Sequence, residues 1–327
     1  MKPNGWPSRL LLLLAMHLLS SSAAFAQGDG ARVYWHFLSG TNVVTFWPIQ
    51  MSANYNPLDP SRVIVPQADF EAKIAMLGYT KLLPLFGRAG SASLILPVGS
   101  LQGEVAGIPI ARQQTGRGFG DPMLQLDVNL CGAPAINSLK DMLRYEPKFT
   151  VDLLGNVAFP VGEYDGGAAL NLGMNRWYGR VGAPMMLSLG PWIPGEKTTL
   201  EAVPAVWIFG ENTDVKGKTL KNDPLFQLEG HLTRDFNDEG WGSVDVLWIK
   251  GAEPELAGVK GKKISNVTVG FTLGFQVTDN LGIGTSYSAA VNDNDPGKVS
   301  RDQFRLMFNY GWHPLLEGMH RLSKGHH

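Results

Sequence analysis

The sequence predicts an all-β fold: an antiparallel transmembrane β-barrel of about 12 strands, with short periplasmic turns and long external loops. Three observations predict it. The chain opens on an export signal and then holds no apolar run near the ~20 residues that a membrane helix needs. Apolar side chains recur at every second residue through most of the chain, which is the period of a strand. The connections between these runs alternate between long and short, as they do at the two ends of an outer-membrane barrel.

Lys2 and Arg9 flank the start of the apolar run Leu10–Leu19, and Ala24-Phe25-Ala26 gives small residues before a cut ahead of Gln27. Residues 1–26 therefore read as a cleaved signal peptide, which implies export. The residue after the cut is not cysteine, so a lipid-anchored N-terminus is not expected. Without the signal the formal charge is −3 and no basic block remains, which argues against a nucleic-acid partner. Cys131 is the single cysteine, so no internal disulfide can form. Residues 27–42 lack a clear period and are expected to be a periplasmic lead segment or a lumen plug. Residues 43–313 are expected to form the barrel and residues 314–327 a periplasmic tail.

Val43–Asn54 reads either as the first strand, despite Pro48, or as a lead segment that tucks into the lumen. Phe70–Leu82 follows, with Ala72, Ile74 and Met76 expected outward and Glu71, Lys73 and Tyr79 inward. Arg88–Ser100 carries Ala92, Leu94, Leu96 and Val98 on one face. Leu124–Leu130 alternates its leucines and Val128 with Gln125, Asp127 and Asn129, and Phe149–Phe159 sets Phe149, Val151, Leu153 and Val157 against Thr150, Asp152 and Asn156. Trp177–Gly190 and Thr198–Gly210 are less regular but are separated by Pro191 and Pro194, residues that belong between strands. Phe226, Leu228 and Leu232 then oppose Gln227, Glu229 and His231, while Val244, Val246 and Trp248 oppose Ser243 and Asp245. Asn266–Ser288 is the clearest hairpin, turning at Thr278-Asp279-Asn280. Gln303–Trp312 completes the set, with Phe304, Leu306 and Phe308 outward and Arg305 inward. The odd connections, from Tyr55–Asp69 to Asp293–Arg301, are long. The even ones are short except Gly132–Tyr145, which places both termini in the periplasm.

Alternation alone does not say which face points outward. A face carrying Asp127, Asn129, Asp152, Asn156, Glu229, His231, Asp245 and Arg305 would make a poor dry core and a good wet lumen, so these residues are the lumen-lining candidates. Aromatic residues gather at strand ends: Phe86, Trp192, Phe236, Trp241, Phe275 and Trp312 near the short turns, and Phe119, Phe159, Trp177 and Trp248 near the long loops. Two interfacial girdles are expected from them.

The segments GFGDPMLQLDVNL (Gly118–Leu130), AFPVGEYDGGAALNLGMNRW (Ala158–Trp177), FQLEGHLTRD (Phe226–Asp235) and FRLMFNYGWH (Phe304–His313) resemble the bacterial outer-membrane barrel family labelled transporter, or MetA-pathway of phenol degradation. The resemblance runs over roughly Ala31 to His313. It implies an outer-membrane barrel that admits hydrophobic or aromatic small molecules, and it implies no catalytic residue set.

The expected function is a passive channel for such molecules through a narrow lumen in the outer membrane of a Gram-negative cell, with no cofactor, no metal and no covalent chemistry. Its expected partners are outer-membrane lipids, the permeant molecules and the machinery that inserts barrels. Two other readings stay open. One is a structural or surface-interaction barrel with an occluded lumen. The other is an outer-membrane lipid hydrolase, which needs a serine and a histidine side by side on the outer wall. If the loop of the Phe226–Lys250 hairpin centres on Asp238, Thr233 faces Ser243 and His231 faces Asp245, with Glu229 on the same wall. That pair either constricts and gates the lumen with pH or simply satisfies its own hydrogen bonds. Asn171–Trp177 is either a folded external loop or a substrate mouth, and Asn292–Gly297 reads as an external turn because it lacks the spacing of a calcium loop.

Overall fold

The computed structural model describes residues 28–105, 114–168, 170–291 and 297–317. The expected signal peptide, most of the turn at 292–297 and most of the tail at 314–327 lie outside the described residues. Strands β1 (Asn42–Ala53), β2 (Ala68–Leu85) and β3 (Arg88–Val105) pair as successive antiparallel hairpins. The next position in the wall is shared by β4 (Gln114–Phe119) and β5 (Met123–Cys131), both paired with β3 and separated by Gly120-Asp121-Pro122. A short helix, α1 (Leu139–Arg144), leads into β6 (Phe149–Ala158). A second shared position follows, in which β7 (Tyr178–Gly182) and β8 (Met185–Ser188) both lie between β6 and β9 (Thr198–Phe209), with Ala183-Pro184 between them. Both breaks hold a proline, which has no N–H for the ladder.

After β10 (Asn212–Val215) and β11 (Lys218–Asn222) come β12 (Leu225–Asp235) and β13 (Gly240–Gly251). After β14 (Pro254–Leu256) and β15 (Val259–Lys260) come β16 (Ile264–Gln276), β17 (Leu281–Val291) and β18 (Arg301–Trp312). With each shared position counted once, the wall has twelve antiparallel strands, and β1 pairs with β18 to close it. The small strands β10, β11, β14 and β15 form a separate four-stranded sheet in the long loops. The turn between β2 and β3 is only Phe86-Gly87, with φ of 51° and 75°, the paired positive values of a tight hairpin. The one long connection at this end, between β5 and β6, is packed: Ser138 caps α1 by accepting from Asp141 N, and Leu38, Ile136, Met142 and Leu316 form a small apolar cluster there.

Most of the outer surface matches the alternation. Leu124, Leu126, Phe226, Leu228, Val244, Phe271 and Phe304 are exposed on the outside, and their neighbours are buried within. β2 is the correction. Ala72, Ile74 and Met76 are buried inside, whereas Glu71 and Lys73 lie on the exposed outer face with Leu77 and Tyr79. At 18 residues each, β2 and β3 are longer than an apolar layer of ~30 Å requires at ~3.3 Å per residue, so their loop ends stand in water. There the outer face turns polar, and the inner face packs its apolar residues with Tyr55 and Leu58 of the first long loop. The expected turn-end girdle is also corrected. Trp192 packs against Trp35 inside the barrel, with ring centroids 4.7 Å apart and the planes tilted by 48°, and Trp241 sits under the Arg32 guanidinium, while Phe86, Phe236 and Phe275 remain exposed.

Gly132, after the bulge that ends the β5–β6 ladder, has φ of 88°, and a Cβ there would lie 1.9 Å from the Phe149 carbonyl oxygen. Gly132→Ala is expected to cost the fold about 1–3 kcal/mol, read as a lower midpoint for the heat-induced mobility shift of the barrel in gels. An unchanged midpoint would contradict the close approach.

Candidate channel lumen

The residues from Gly28 to Thr41 lie inside the barrel and meet inward side chains from many wall strands. In the middle of the lumen, Glu229 of β12 accepts from Asp29 N at 2.9 Å and from Gly30 N at 2.8 Å. The same carboxylate lies 3.0 Å from His231 Nε2, while His231 Nδ1 lies 2.7 Å from Asp245 Oδ1 on β13. The register pairs His231 with Asp245 and Thr233 with Ser243, the alignment that a loop centred on Asp238 gives. Asp245 also accepts from Ser243 and Thr272, each at 2.7 Å. Asp29 is held by the Arg180 guanidinium of β7 at 2.8 Å and by the Tyr34 hydroxyl, and both Asp29 and Arg180 side chains are fully buried. Arg305 of β18 donates to Ser286 Oγ and to the Asp29 carbonyl and covers the Trp47 ring at 5.0 Å.

Toward the turn end, Arg32 N donates to Glu201 of β9 at 2.8 Å, Arg32 Nε to Thr233, and Arg32 Nη1 lies 2.6 Å from Asp235. The same guanidinium is stacked between the rings of Trp35 and Trp241, at 4.4 and 4.5 Å. Lys197, in the connection before β9, sits over Trp192 and Trp35. A cavity of about 100 Å³ opens here, lined by Trp35, Phe37, Trp47, Trp241, Arg32, Lys197 and Arg305 among others. Along the opposite wall, Asn129 of β5 donates to Asp152 of β6 at 2.6 Å, His36 lies 3.1 Å from Asp152, and Asp127 is buried beside them. Asn156 reaches Gln125 at 3.5 Å.

All the lumen-lining candidates thus face inward, Asp245 less buried than the rest. The structure brings Glu229, His231 and Asp245 into one chain of contacts and Asp127, Asn129 and Asp152 into another, with Asn156 and Arg305 apart. Sequence reasoning did not single out Asp29, Arg32, Trp35, His36, Arg180, Lys197 and Glu201. Glu201 follows the alternation of its strand and was findable; the others sit in stretches without a period. At the loop end, Asn171–Trp177 folds over the mouth: Met174 N donates to Asp121, and Arg176 binds Asp59 at 3.2 Å. The described histidines, His36, His231 and His313, are all buried.

The sequence pattern of the family described as "Putative MetA-pathway of phenol degradation" matches residues 55–308. The chain belongs to that family. Among solved structures, an outer membrane channel from Pseudomonas putida F1 is similar at 15% identity and a TM-score of 0.69, over 88% of this chain and all of that one. The β domain of the Bordetella autotransporter BrkA is similar at 11% identity and a TM-score of 0.49, over 84% of this chain and all of that one. The likeness to the Pseudomonas channel shows the barrel fold. No curated protein matches.

Burial lowers Lys197 from its ordinary 10.5 to about 8, against the opposing pull of Asp235. Between these values the unfolded chain binds more protons than the folded one, so this group makes stability rise with pH across that window, and below about 8 the full cost of the buried ammonium remains. Thermal midpoints measured at pH 7 to 10 are expected to rise less in Lys197→Met than in the native protein. Parallel profiles would contradict this.

Proposed function

We propose that the protein is an outer-membrane channel for small aromatic or hydrophobic molecules, in which residues 28–41 form a lumen plug that loosens for passage. The cavity of about 100 Å³ carries this reading. Its indole and phenyl faces suit a small ring, and Arg32, Lys197 and Arg305 suit a polar substituent such as a phenolic oxygen. The description of the family supports the aromatic character of the permeant, and the likeness to the Pseudomonas channel supports the barrel that would carry it. In this reading the short turns and both ends of the chain are periplasmic, the lumen-lining residues hold the plug, and passage is passive.

A second reading, an occluded structural barrel, is favoured by the seating of Asp29 and Gly30 on Glu229 in mid-lumen. Vesicles with purified protein separate the two. Phenol-like solutes are expected to enter faster than sugars, and Glu229→Ala, which removes the acceptor for both plug amides, is expected to raise ion conductance several-fold. Absence of uptake with equal conductance in both proteins would support the occluded barrel instead. His231→Gln, which cannot bridge Glu229 and Asp245 together, is expected to loosen the plug and raise ion conductance; conductance equal to that of the native protein would reduce His231 to filling space.

A further inference from the structure

One cluster in the lumen lies outside the aromatic cavity. His36 of the N-terminal segment, Asp127 of β5 and Asp152 of β6 each place a metal-ligating atom within 4.8 Å of the other two, and all three residues are buried. Asp152 is matched by donors, Asn129 at 2.6 Å and His36 at 3.1 Å. Asp127 is not. It is only 4% exposed, and among the described residues its Oδ2 has neither a hydrogen-bond donor nor a cation beside it. A buried carboxylate oxygen in that condition calls for a ligand or a proton. His36 and Asp127 also share the lining of a cavity of about 20 Å³, enough for about one water molecule.

We propose that His36, Asp127 and Asp152 bind a divalent transition-metal ion of the zinc class, which staples the N-terminal segment to the barrel wall. One imidazole nitrogen and two carboxylate oxygens are a three-ligand set that zinc completes with water, for which the adjacent cavity has room. The absence of a sulfur donor disfavours copper(I), and three protein ligands are too few for calcium. Bonds of ~2.0–2.2 Å require the ligand atoms to draw together by about an ångström, within the reach of side-chain rotation. Asn129 Nδ2 donates to Asp152 Oδ1 and lies 3.4 Å from His36 Nε2, and Asn129 Oδ1 accepts from Ala133 N at 2.9 Å, so this side chain positions both ligands at the edge of the site. The two carboxylates balance the charge of the ion. Because His36 lies on the N-terminal segment and the aspartates on the wall, binding ties the segment down.

This site does not rest on the transport reading, and its test does not measure transport. The full mature chain, folded in detergent, is incubated with Zn²⁺, desalted and analysed for metal by mass spectrometry, with thermal midpoints recorded before and after a chelator. Native protein is expected to retain about one more zinc per chain than Asp127→Asn or His36→Gln, and to lose thermal stability on chelation only when those residues are intact. Where Asp127→Asn fails to fold, His36→Gln, which lies outside the wall, carries the comparison. Equal zinc content in native and variant proteins, or none in either, would overturn the proposal in favour of a proton shared by Asp127 and Asp152.

Discussion

A carboxylate placed in the middle of a narrow barrel must be met by donors, and Glu229 is met by two backbone amides and an imidazole. The rest of the lumen is arranged around that requirement. Asp29 and Gly30 can reach Glu229 only if the N-terminal segment runs up the barrel axis. Once there, the Asp29 side chain needs its own partner, which Arg180 and Tyr34 supply. His231 needs a second acceptor, which Asp245 supplies. Along this line each carboxylate is matched by the next group, as a polar interior cut off from bulk water demands, whereas Asp127 on the opposite wall is not.

The wall that encloses this network obeys a different constraint. An apolar surrounding offers no hydrogen bonds, so every backbone group along it must pair within the sheet, and the sheet must close. Pairing of β1 with β18 does this, and the two proline-containing breaks sit where one strand gives way to the next at the same wall position. Strand length then sets a boundary along the wall. Where β2 and β3 rise past the apolar layer, the same strand changes from apolar outside to polar outside, and its inner face changes from polar to packed hydrophobic. At the loop end Tyr55 and Leu58 accordingly pack in the apolar cluster beside the folded Asn171–Trp177 stretch, while the turn end keeps an aromatic and cationic cavity.

The turn end shows how aromatic and charged groups share a small space. Arg32 satisfies Asp235 in the plane of its guanidinium and offers its faces to Trp35 and Trp241. Lys197 lies over Trp35 and Trp192, and its lowered proton affinity is the physical trace of its burial.

Much of the wall was legible in the sequence, because a strand's side chains alternate whatever its neighbours are. The run Val267, Val269, Phe271 and the acidic partners Asp127, Asp152 and Glu229 declare their faces locally, and the order of long and short connections fixes the hairpin topology. Alternation gives parity but not direction, so β2, whose outer residues are polar at one end, was read inside out. Trp192 and Trp241 were placed in a girdle because position at a strand end does not reveal which way a ring turns. The contents of the lumen were beyond local reading altogether. Asp29 meets Arg305 across 276 positions of sequence, and Arg32 meets Glu201 across 169. The sequence by itself determined an antiparallel barrel wall with a polar inner face; only the tertiary structure decided what fills it, because those partners become neighbours only when the barrel closes around the chain's own N-terminal segment.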